Sequence, residues 1–183
     1  MMWVMASPEA PGQVDPPQVR RTRLLVVMLA IAVVVLAGDQ VSKALVVSRL
    51  TGHPPVRLLD GLITLQLTFN AGAAFSFGTS YTAVIALVAV ATVVLIIRTA
   101  RRLRSRGWAV ALGLLLGGTL GNLSDRLFRA PGPLRGRVVD WINLPHFPWT
   151  FNIADSAITC AAVLIAVLAV SNIRLDGTAA RGS

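Results

Sequence analysis

The chain contains four long apolar runs, and these constrain its fold more than any other feature of the sequence. They extend from Leu24 to about Val47, from about Tyr81 to Ile97, from Trp108 to about Leu127 and from about Phe151 to Ile173. Each run approaches the roughly 20 residues that a helix needs to cross about 30 Å of hydrocarbon. The composition agrees, since 55% of the residues are hydrophobic and only 14% are charged. The sequence therefore predicts a mainly α membrane protein with four transmembrane helices.

A proline-rich stretch precedes the first apolar run and ends in the basic residues RRTR. Basic residues followed by LLVVMLAIAVVVLA are also typical of a secretory signal peptide. This run continues through polar residues without a convincing cleavage site, so we interpret it as a retained helix. The sequence predicts a disordered cytoplasmic tail over residues 1–23, a membrane domain over 24–173 and a second cytoplasmic tail over 174–183.

The basic residues between the apolar runs predict the orientation of the chain. Five arginines lie in the link 98–106, and with the two tails they bring that side to ten basic residues, against seven on the other. Arginine-rich links stay in the cytoplasm. Both termini are therefore expected there, with segments 48–80 and 128–150 outside. A net charge of +9 divided among such clumps does not indicate nucleic-acid binding.

The two outward segments contain the pattern of a small sheet. VRLLDGLITLQLTF has an alternating, β-branched character around Asp60–Gly61, which predicts a hairpin. RVVDWINL can supply another short strand. Trp141, Phe147 and Trp149 suit the membrane–water boundary, where aromatic rings accumulate. We therefore expect a small extracytoplasmic antiparallel β-sheet resting on the outer ends of the helices.

Small residues in the apolar runs indicate packing. Gly113, Gly117 and Gly121 recur every four residues in the third run, a spacing that lets another helix approach closely. The single cysteine, Cys160, cannot form an intrachain disulfide. Its apolar surroundings predict a small buried side chain.

Ionisable side chains at membrane depth are costly, so each of them requires an explanation. In the first run, Asp39 and Lys43 are spaced i, i+4 and can neutralise each other. In the third run, Asn122 and Asp125 lie one turn apart, next to Arg126. We favour structural roles, with Asp125 paired to Arg126 or Lys43. Arg126 could also meet a lipid phosphate or a substrate carbonyl.

Two further aspartates lie where the outward segments meet the membrane. Asp140 follows a β-type run in VVDW, and Asp155 stands about one turn into the fourth apolar run. If the strand crosses the outer helix ends, the two carboxylates meet at the boundary. Carboxylates in a partly dry site cannot both be charged cheaply, so one remains a base while the other keeps a proton. Aspartic proteases activate water with this arrangement.

No other group of residues predicts catalysis as well. His53 and His146 lie beside prolines and form no spaced metal cluster, so we expect neither a metal nor a cofactor. Ser76 and Ser156 have no histidine nearby in the sequence, which disfavours a serine mechanism.

Five ordered blocks of residues resemble those of the lipoprotein signal peptidases (signal peptidase II), membrane aspartic proteases of bacteria. The blocks are DQVSK at 39–43, NAGAAFS at 70–76, GNLSDR at 121–126, VVDW at 138–141 and FNIAD at 151–155. Each block is weak alone, but five in order on four spans are highly specific. The resemblance covers roughly residues 24–173 and implies a four-helix bundle with an extracytoplasmic β-cradle.

The resemblance also implies roles for single residues. The catalytic pair falls on Asp140 and Asp155. Positions that line the site or hold substrate are Asn70 with the neighbouring Gly72, Asn122, Arg126 and Asn152, and positions that support the fold are Asp39, Lys43 and Asp125. Without the resemblance, the NxG pattern of Asn70 and Gly72 is weak evidence, because this pattern commonly forms a turn.

The implied activity is removal of signal peptides from prolipoproteins that already carry diacylglycerol, with cleavage just before the lipidated cysteine. The implied partners are these precursors and membrane lipids, and we expect a monomer in the bacterial cell membrane with its active site on the extracytoplasmic face. Three features depart from the family pattern. Ser124 stands where a larger residue is common, the two aspartates are only 15 positions apart, and the N-terminal extension is long.

A small multi-pass transporter or proton channel is the alternative. It would use a relay of ionisable residues from the spans, namely Asp39, Lys43, Asp125 and Asp155. A relay needs such groups at several depths, whereas these gather at the outer helix ends and the second run has none. A scaffolding subunit would leave Asn70, Asp140 and Asn152 unexplained.

Overall fold

The computed structural model describes residues 17–72 and 80–178. Four helices account for most of this chain: α1 Pro17–Leu50, α2 Ser80–Ala100, α3 Arg106–Phe128 and α4 Ile153–Val170. All four are long and apolar enough to cross a membrane. The predicted four-helix membrane architecture is therefore confirmed.

Helix α1 begins earlier than the sequence predicted. It starts at Pro17 and not near Leu24, so residues 17–23 are helical and do not belong to an irregular tail. Proline suits the first turn of a helix, where its missing N–H costs nothing. The polar side chains that follow are mostly exposed, so the helix extends beyond its apolar part. The rest of the predicted tail, and the part of the NAGAAFS block that includes Ser76, lie outside the described residues.

Four short strands form one antiparallel sheet in the order β1-β2-β3-β4. They are β1 Val56–Leu58, β2 Ile63–Asn70, β3 Val138–Asn143 and β4 Thr150–Phe151. β1 and β2 form the predicted hairpin, and the turn between them places Leu59, Asp60 and Gly61 at positive φ. The small antiparallel sheet expected from the two long interhelical segments is therefore confirmed.

The glycines of α3 form the seam of the helix bundle. A Cβ atom on Gly117 would lie 2.7 Å from the carbonyl oxygen of Ala32 in α1, and Gly113 also faces the α1 backbone. Gly118 makes the corresponding contact with the carbonyl of Ala154 in α4. Side chains at these positions would force the helices apart, so the predicted packing role is confirmed. α3 is the central helix, with 56% of its most apolar stretch buried, against 17–22% in the other three.

Two connections join the sheet to the helix ends. The N–H of Val139 in β3 donates a hydrogen bond to Oδ2 of Asp125 in α3, over 3.1 Å. β4 runs directly into α4, with Asn152 between them as the N-terminal cap of the helix. Together these connections place Asp140 of β3 near the first turn of α4.

Candidate active site

A buried ion-pair network joins α1 to α3 at the end of the bundle that carries the sheet. Nζ of Lys43 lies 2.7 Å from Oδ2 of Asp39 and 2.9 Å from Oδ2 of Asp125, and all three side chains are at most 1% exposed. Asp39 and Lys43 thus pair as their spacing predicted. The second partner of Asp125 is Nε of Arg129, at 2.6 Å. Of the two partners considered from sequence, Lys43 is therefore the one that binds Asp125, and Arg126 does not.

Asp39 also caps helix α4. Its Oδ1 accepts a hydrogen bond from the N–H of Ala154 over 3.0 Å, which satisfies one of the free donors in the first turn. Its Oδ2 accepts one from Nε2 of Gln40, which also donates to the carbonyl oxygen of Gly121 in α3. One carboxylate therefore fixes three helices relative to one another where the site forms.

Asp140 lies in β3, and only 1% of its surface is exposed. Its Oδ2 accepts a hydrogen bond from Nδ2 of Asn70 at 2.8 Å, and its Oδ1 accepts one from Nδ2 of Asn152 at 2.6 Å. Burial is the main cause that raises the pKa of Asp140 from 3.8 to about 6; the Asn70 amide opposes this rise, and the charge of Asp155 adds to it. The carboxyl of Asp140 therefore exchanges its proton close to neutral pH.

Asp155 lies in the first turn of α4, where it forms a capping box with Asn152. The N–H of Asp155 donates to Oδ1 of Asn152 at 2.9 Å, and the N–H of Asn152 donates to Oδ2 of Asp155 at 3.2 Å. Oδ1 of Asp155 accepts a third hydrogen bond, from Nδ2 of Asn122 in α3, at 2.7 Å. The carboxylate is thus oriented both by its own helix and by a neighbouring one.

Two asparagines connect the aspartates to each other. Nδ2 of Asn152, which donates to Asp140, also donates to Oδ1 of Asn122 at 3.1 Å, and Asn122 in turn donates to Asp155. Nζ of Lys43 donates to the same oxygen of Asn122 at 3.0 Å. A continuous hydrogen-bonded path therefore joins the two carboxylates, and Lys43 fixes the orientation of the amide in its middle.

Both aspartates open onto one cleft of about 790 Å³. Phe147 and Trp149 line it from the β3–β4 connection, with their ring centroids 5.3 Å apart in an edge-to-face contact. Small polar side chains of α4, including Ser156 and Thr159, line another side. A largely aromatic cleft with a few convergent polar groups is typical of a site that holds an organic ligand in a fixed orientation.

The other predicted site residues lie around this cleft and do not form its wall, apart from Asn70. The N–H of Gly72 donates to Oδ1 of Asn70 at 2.7 Å, and the φ of Gly72 is 101°, so this turn positions Asn70. Asn152 is completely buried. Arg126 is 7% exposed, and over residues 17–72 and 80–178 its buried Nη1 has no hydrogen-bond partner.

Several residues of the site were not predicted. Arg129 was missed as a partner of Asp125, although their i, i+4 spacing is a signal for such a pair. Cys160 was expected to be buried but is exposed and lines the cleft, because the apolar run does not show which face of α4 lacks a neighbour. Thr68 of β2 pairs with Asp140 of β3 and also lines the cleft. It was missed because the local sequence does not indicate the register between these two strands.

Comparison with known proteins gives concordant similarities. Residues 31–171 match the family model described as signal peptidase (SPase) II. The chain is 46% identical to a lipoprotein signal peptidase of Streptomyces coelicolor, over 89% of this chain and 79% of that protein. It is also 46% identical to a lipoprotein signal peptidase of Mycobacterium avium, over 92% of each.

Two solved structures, both described as bacterial membrane enzymes determined by the in meso method, have a similar fold. The one at 1.9 Å resolution has a TM-score of 0.70 and 26% identity, and covers 79% of this chain and 93% of its own. The one at 2.3 Å resolution has a TM-score of 0.67 and 25% identity, with 79% and 88% covered.

Proposed function

Since the chain belongs to the signal peptidase (SPase) II family, we propose that it removes signal peptides from prolipoproteins in the bacterial membrane. Its substrates are precursors whose cysteine already carries diacylglycerol, and the bond just before that cysteine is the one that breaks. The observation that carries the proposal is the single cleft shared by Asp140 and Asp155, which a chain of asparagines orients. From this pair we assign the peptidase to the aspartic class.

One carboxyl of the pair acts as general base and the other as general acid. The ionised aspartate takes a proton from water, whose oxygen attacks the scissile carbonyl carbon, while the protonated aspartate gives its proton to the carbonyl oxygen. The tetrahedral diol then collapses: the aspartate that took the proton from water gives it to the nitrogen, the other aspartate takes a proton back from a diol hydroxyl, and the C–N bond breaks. The products are a signal peptide with a new carboxyl group and a lipoprotein with a new amino group. The reaction needs no covalent enzyme intermediate.

The charges around the cleft support a pair that holds one proton. Lys43, Arg126 and Arg129 bring three positive charges to this end of the bundle, and Asp39 and Asp125 bring two negative charges. The surplus positive charge is balanced when one of the catalytic aspartates is ionised and the other is protonated. The side chain of Arg129 is 30% exposed, so the cluster is only partly buried. A partly buried cluster without net charge costs less desolvation than a charged one, which favours this division of roles.

The location of the cleft suits a lipidated substrate. It lies where the sheet meets the first turn of α4, and therefore at the membrane–water boundary of a chain whose helices cross the bilayer. Two acyl chains in the membrane would hold the scissile bond at that level. Their binding energy can then orient the peptide for attack by water.

We further propose that the cleft opens on the extracytoplasmic side and that both termini are cytoplasmic. The link between α2 and α3 lies at the opposite end of these helices from the sheet. Its arginines at 101, 102 and 104 are exposed, as are Arg98 in the last turn of α2 and Arg106 at the start of α3. A connection with this composition stays in the cytoplasm.

A transporter or proton channel is less well supported. A proton relay needs groups at successive depths of the membrane. In the described part of the spans, Lys43 contacts both Asp39 and Asp125 and reaches Asp155 through Asn122, all at the end that carries the sheet. This arrangement favours a local site over a conducting path.

Reconstitution of the purified protein with a diacylglyceryl-modified precursor tests the function. The expected result is release of the signal peptide, with mass spectrometry finding the lipidated cysteine at the new N-terminus. The same precursor without diacylglycerol is the control and should remain uncut. Failure to cut the lipidated precursor would refute the function, and equal cleavage of both precursors would refute the lipid requirement.

A further inference from the structure

The connection between α3 and β3 borders a second, open cavity that the proposed reaction does not use. Its volume is about 460 Å³, and its lining consists of Phe69, Arg129, Ala130, Pro131 and Arg137. We call residues 129–137 the basic loop. We propose that this cavity binds the phosphate group of an anionic phospholipid.

The basic loop is closed by hydrogen bonds of its own backbone. The N–H of Arg137 donates to the carbonyl oxygen of Ala130 at 3.2 Å, and the N–H of Gly136 donates to that of Arg126 at 3.1 Å. Two further backbone hydrogen bonds form turns inside the loop. These bonds hold the two ends of the loop together, and with them the arginines at 129 and 137. The cavity is therefore formed in advance, which lowers the entropic cost of binding a ligand.

The two cavity arginines can both donate to an anion. Nε of Arg129 is bound to Oδ1 of Asp125 at 2.6 Å, which fixes the guanidinium. In the part of the chain that the structure describes, its terminal nitrogens have no other acceptor, so they can bind a ligand. The side chain of Arg137 is exposed, and no hydrogen bond or ion pair of this side chain occurs within residues 17–72 and 80–178. Residues 126–139 contain four arginines and no acidic residue. Paired guanidinium groups without a nearby free carboxylate match the oxygens of a phosphate group.

The surroundings of the cavity favour a lipid phosphate over a free phosphate ion. Phe128, the last residue of the membrane-spanning helix α3, directly precedes Arg129 and is 84% exposed. Phe69, which lines the cavity itself, is 49% exposed. Apolar surface for an acyl chain thus lies next to positive charge for a headgroup at the boundary of the membrane. An anionic lipid fits best, because it brings no ammonium group toward the arginines.

A lipid bound in this cavity would be connected to the sheet beside the catalytic cleft. Arg129 contacts Asp125, which accepts a hydrogen bond from the N–H of Val139, the residue before Asp140. Phe69 lines both the cavity and the cleft. A bound lipid would therefore fasten the basic loop and β3 to the membrane surface and stabilise the folded protein.

Lipid titration of the full-length protein in detergent tests this proposal, with binding measured by native mass spectrometry and by the shift in unfolding temperature. Phosphatidylglycerol should bind and raise the unfolding temperature, whereas phosphatidylcholine should bind at least about tenfold more weakly. Arg137→Gln should weaken phosphatidylglycerol binding about tenfold, because it removes one charged hydrogen-bonding partner. Arg135→Gln is the matched control: it makes the same change in the same loop at an exposed position outside the cavity lining, and should stay within about twofold of wild type.

Three results would overturn the proposal. The first is a loss of phosphatidylglycerol binding in Arg137→Gln that is no larger than the loss in Arg135→Gln. The second is binding of inorganic phosphate without binding of the lipid, which would show a site for the free ion. The third is that an acidic peptide binds and Arg137→Gln weakens its binding, while the lipid does not bind. Both variants should keep the wild-type unfolding temperature in the absence of lipid, so a loss of binding would not reflect misfolding.

Discussion

At the scale of single residues, the four aspartates at the end of the bundle that carries the sheet fall into two kinds according to the groups that contact them. Asp39 and Asp125 contact the ammonium group of Lys43 directly, at 2.7 and 2.9 Å. Asp140 and Asp155 are held by neutral amide groups instead, over 2.6 to 2.8 Å. A contacting cation stabilises the ionised form strongly, whereas neutral amide donors stabilise it less and also orient the carboxyl. The first pair is therefore suited to structure, and the second pair is suited to proton transfer.

The raised pKa of Asp140 predicts that this residue makes the folded protein less stable at neutral pH than at about pH 4. Its pKa is about 6 in the folded protein, against 3.8 ordinarily, so the unfolded chain releases this proton first as pH rises. The free energy of unfolding should therefore fall between about pH 4 and pH 6, by on the order of 2 to 3 kcal/mol, and this contribution stays lost above pH 6. Asp140→Asn cannot release a proton. Its unfolding temperature relative to wild type should rise between pH 4 and pH 6 and then remain constant.

Thermal unfolding of the purified wild type and of Asp140→Asn across pH 4 to 8 makes this measurement. Asp60→Asn is a suitable control for the loss of a carboxyl group, because Asp60 is exposed in the hairpin turn. A difference between wild type and Asp140→Asn that is the same at every pH would contradict the prediction.

At the scale of elements, the seam between α1 and α3 depends on glycine. A Cβ on Gly117 would lie 2.7 Å from both the carbonyl oxygen of Ala32 and the Cβ of Val35, whereas one on Gly38 of α1 would meet nothing within 4 Å. Gly117→Ala should therefore destabilise the fold by roughly 1 to 3 kcal/mol, because the helices must separate to admit the methyl group. Gly38→Ala makes the same chemical change at an open helical position and should be neutral or slightly stabilising.

Unfolding temperature and the yield of folded protein in membranes would compare these two variants. Equal effects of the two substitutions would show that helix propensity, and not the close approach of α1, decides stability at this seam.

Elements with a strong local pattern were predicted from sequence. The four spans follow from their apolar length, and the β1–β2 hairpin follows from alternation around Asp60–Gly61. Contacts between distant elements were not predicted, because no local pattern encodes them. Asp39 caps α4 at Ala154, 115 residues further along the chain. Likewise, the exposure of Cys160 depends on which face of α4 the other helices leave uncovered.

The candidate site was predictable to a similar extent. Asp140 and Asp155 were expected to meet because both lie at the predicted membrane boundary, where an ionisable side chain is costly. In the structure both line the same cleft. The hydrogen bonds between Asn152 and Asn122 could not be foreseen, because they depend on how β4 enters α4 beside α3. The early start of α1 at Pro17 was missed because exposed polar residues carry no apolar pattern.

At the scale of the whole molecule, the orientation in the membrane decides whether the cleft can meet an exported precursor. In a Cys160→Ser background, which has no other cysteine, Asp60→Cys should react with a membrane-impermeant maleimide in intact spheroplasts. Arg102→Cys should react only after the membrane is permeabilised, because the α2–α3 link is expected in the cytoplasm. Both positions are exposed, so access through the membrane is the only difference tested. The opposite labelling pattern would invert the proposed topology.

The rate of precursor cleavage tests most directly whether Asp140 and Asp155 are the catalytic pair. Asp140→Asn and Asp155→Asn should each lower kcat/KM for a diacylglyceryl-modified precursor by about 10³-fold or more, because each removes one partner of the proton transfer. Both variants should remain folded in the membrane, and Asp60→Asn should cleave at the wild-type rate. If either variant of the pair still cleaved within about tenfold of wild type, Asp140 and Asp155 would not be the catalytic pair.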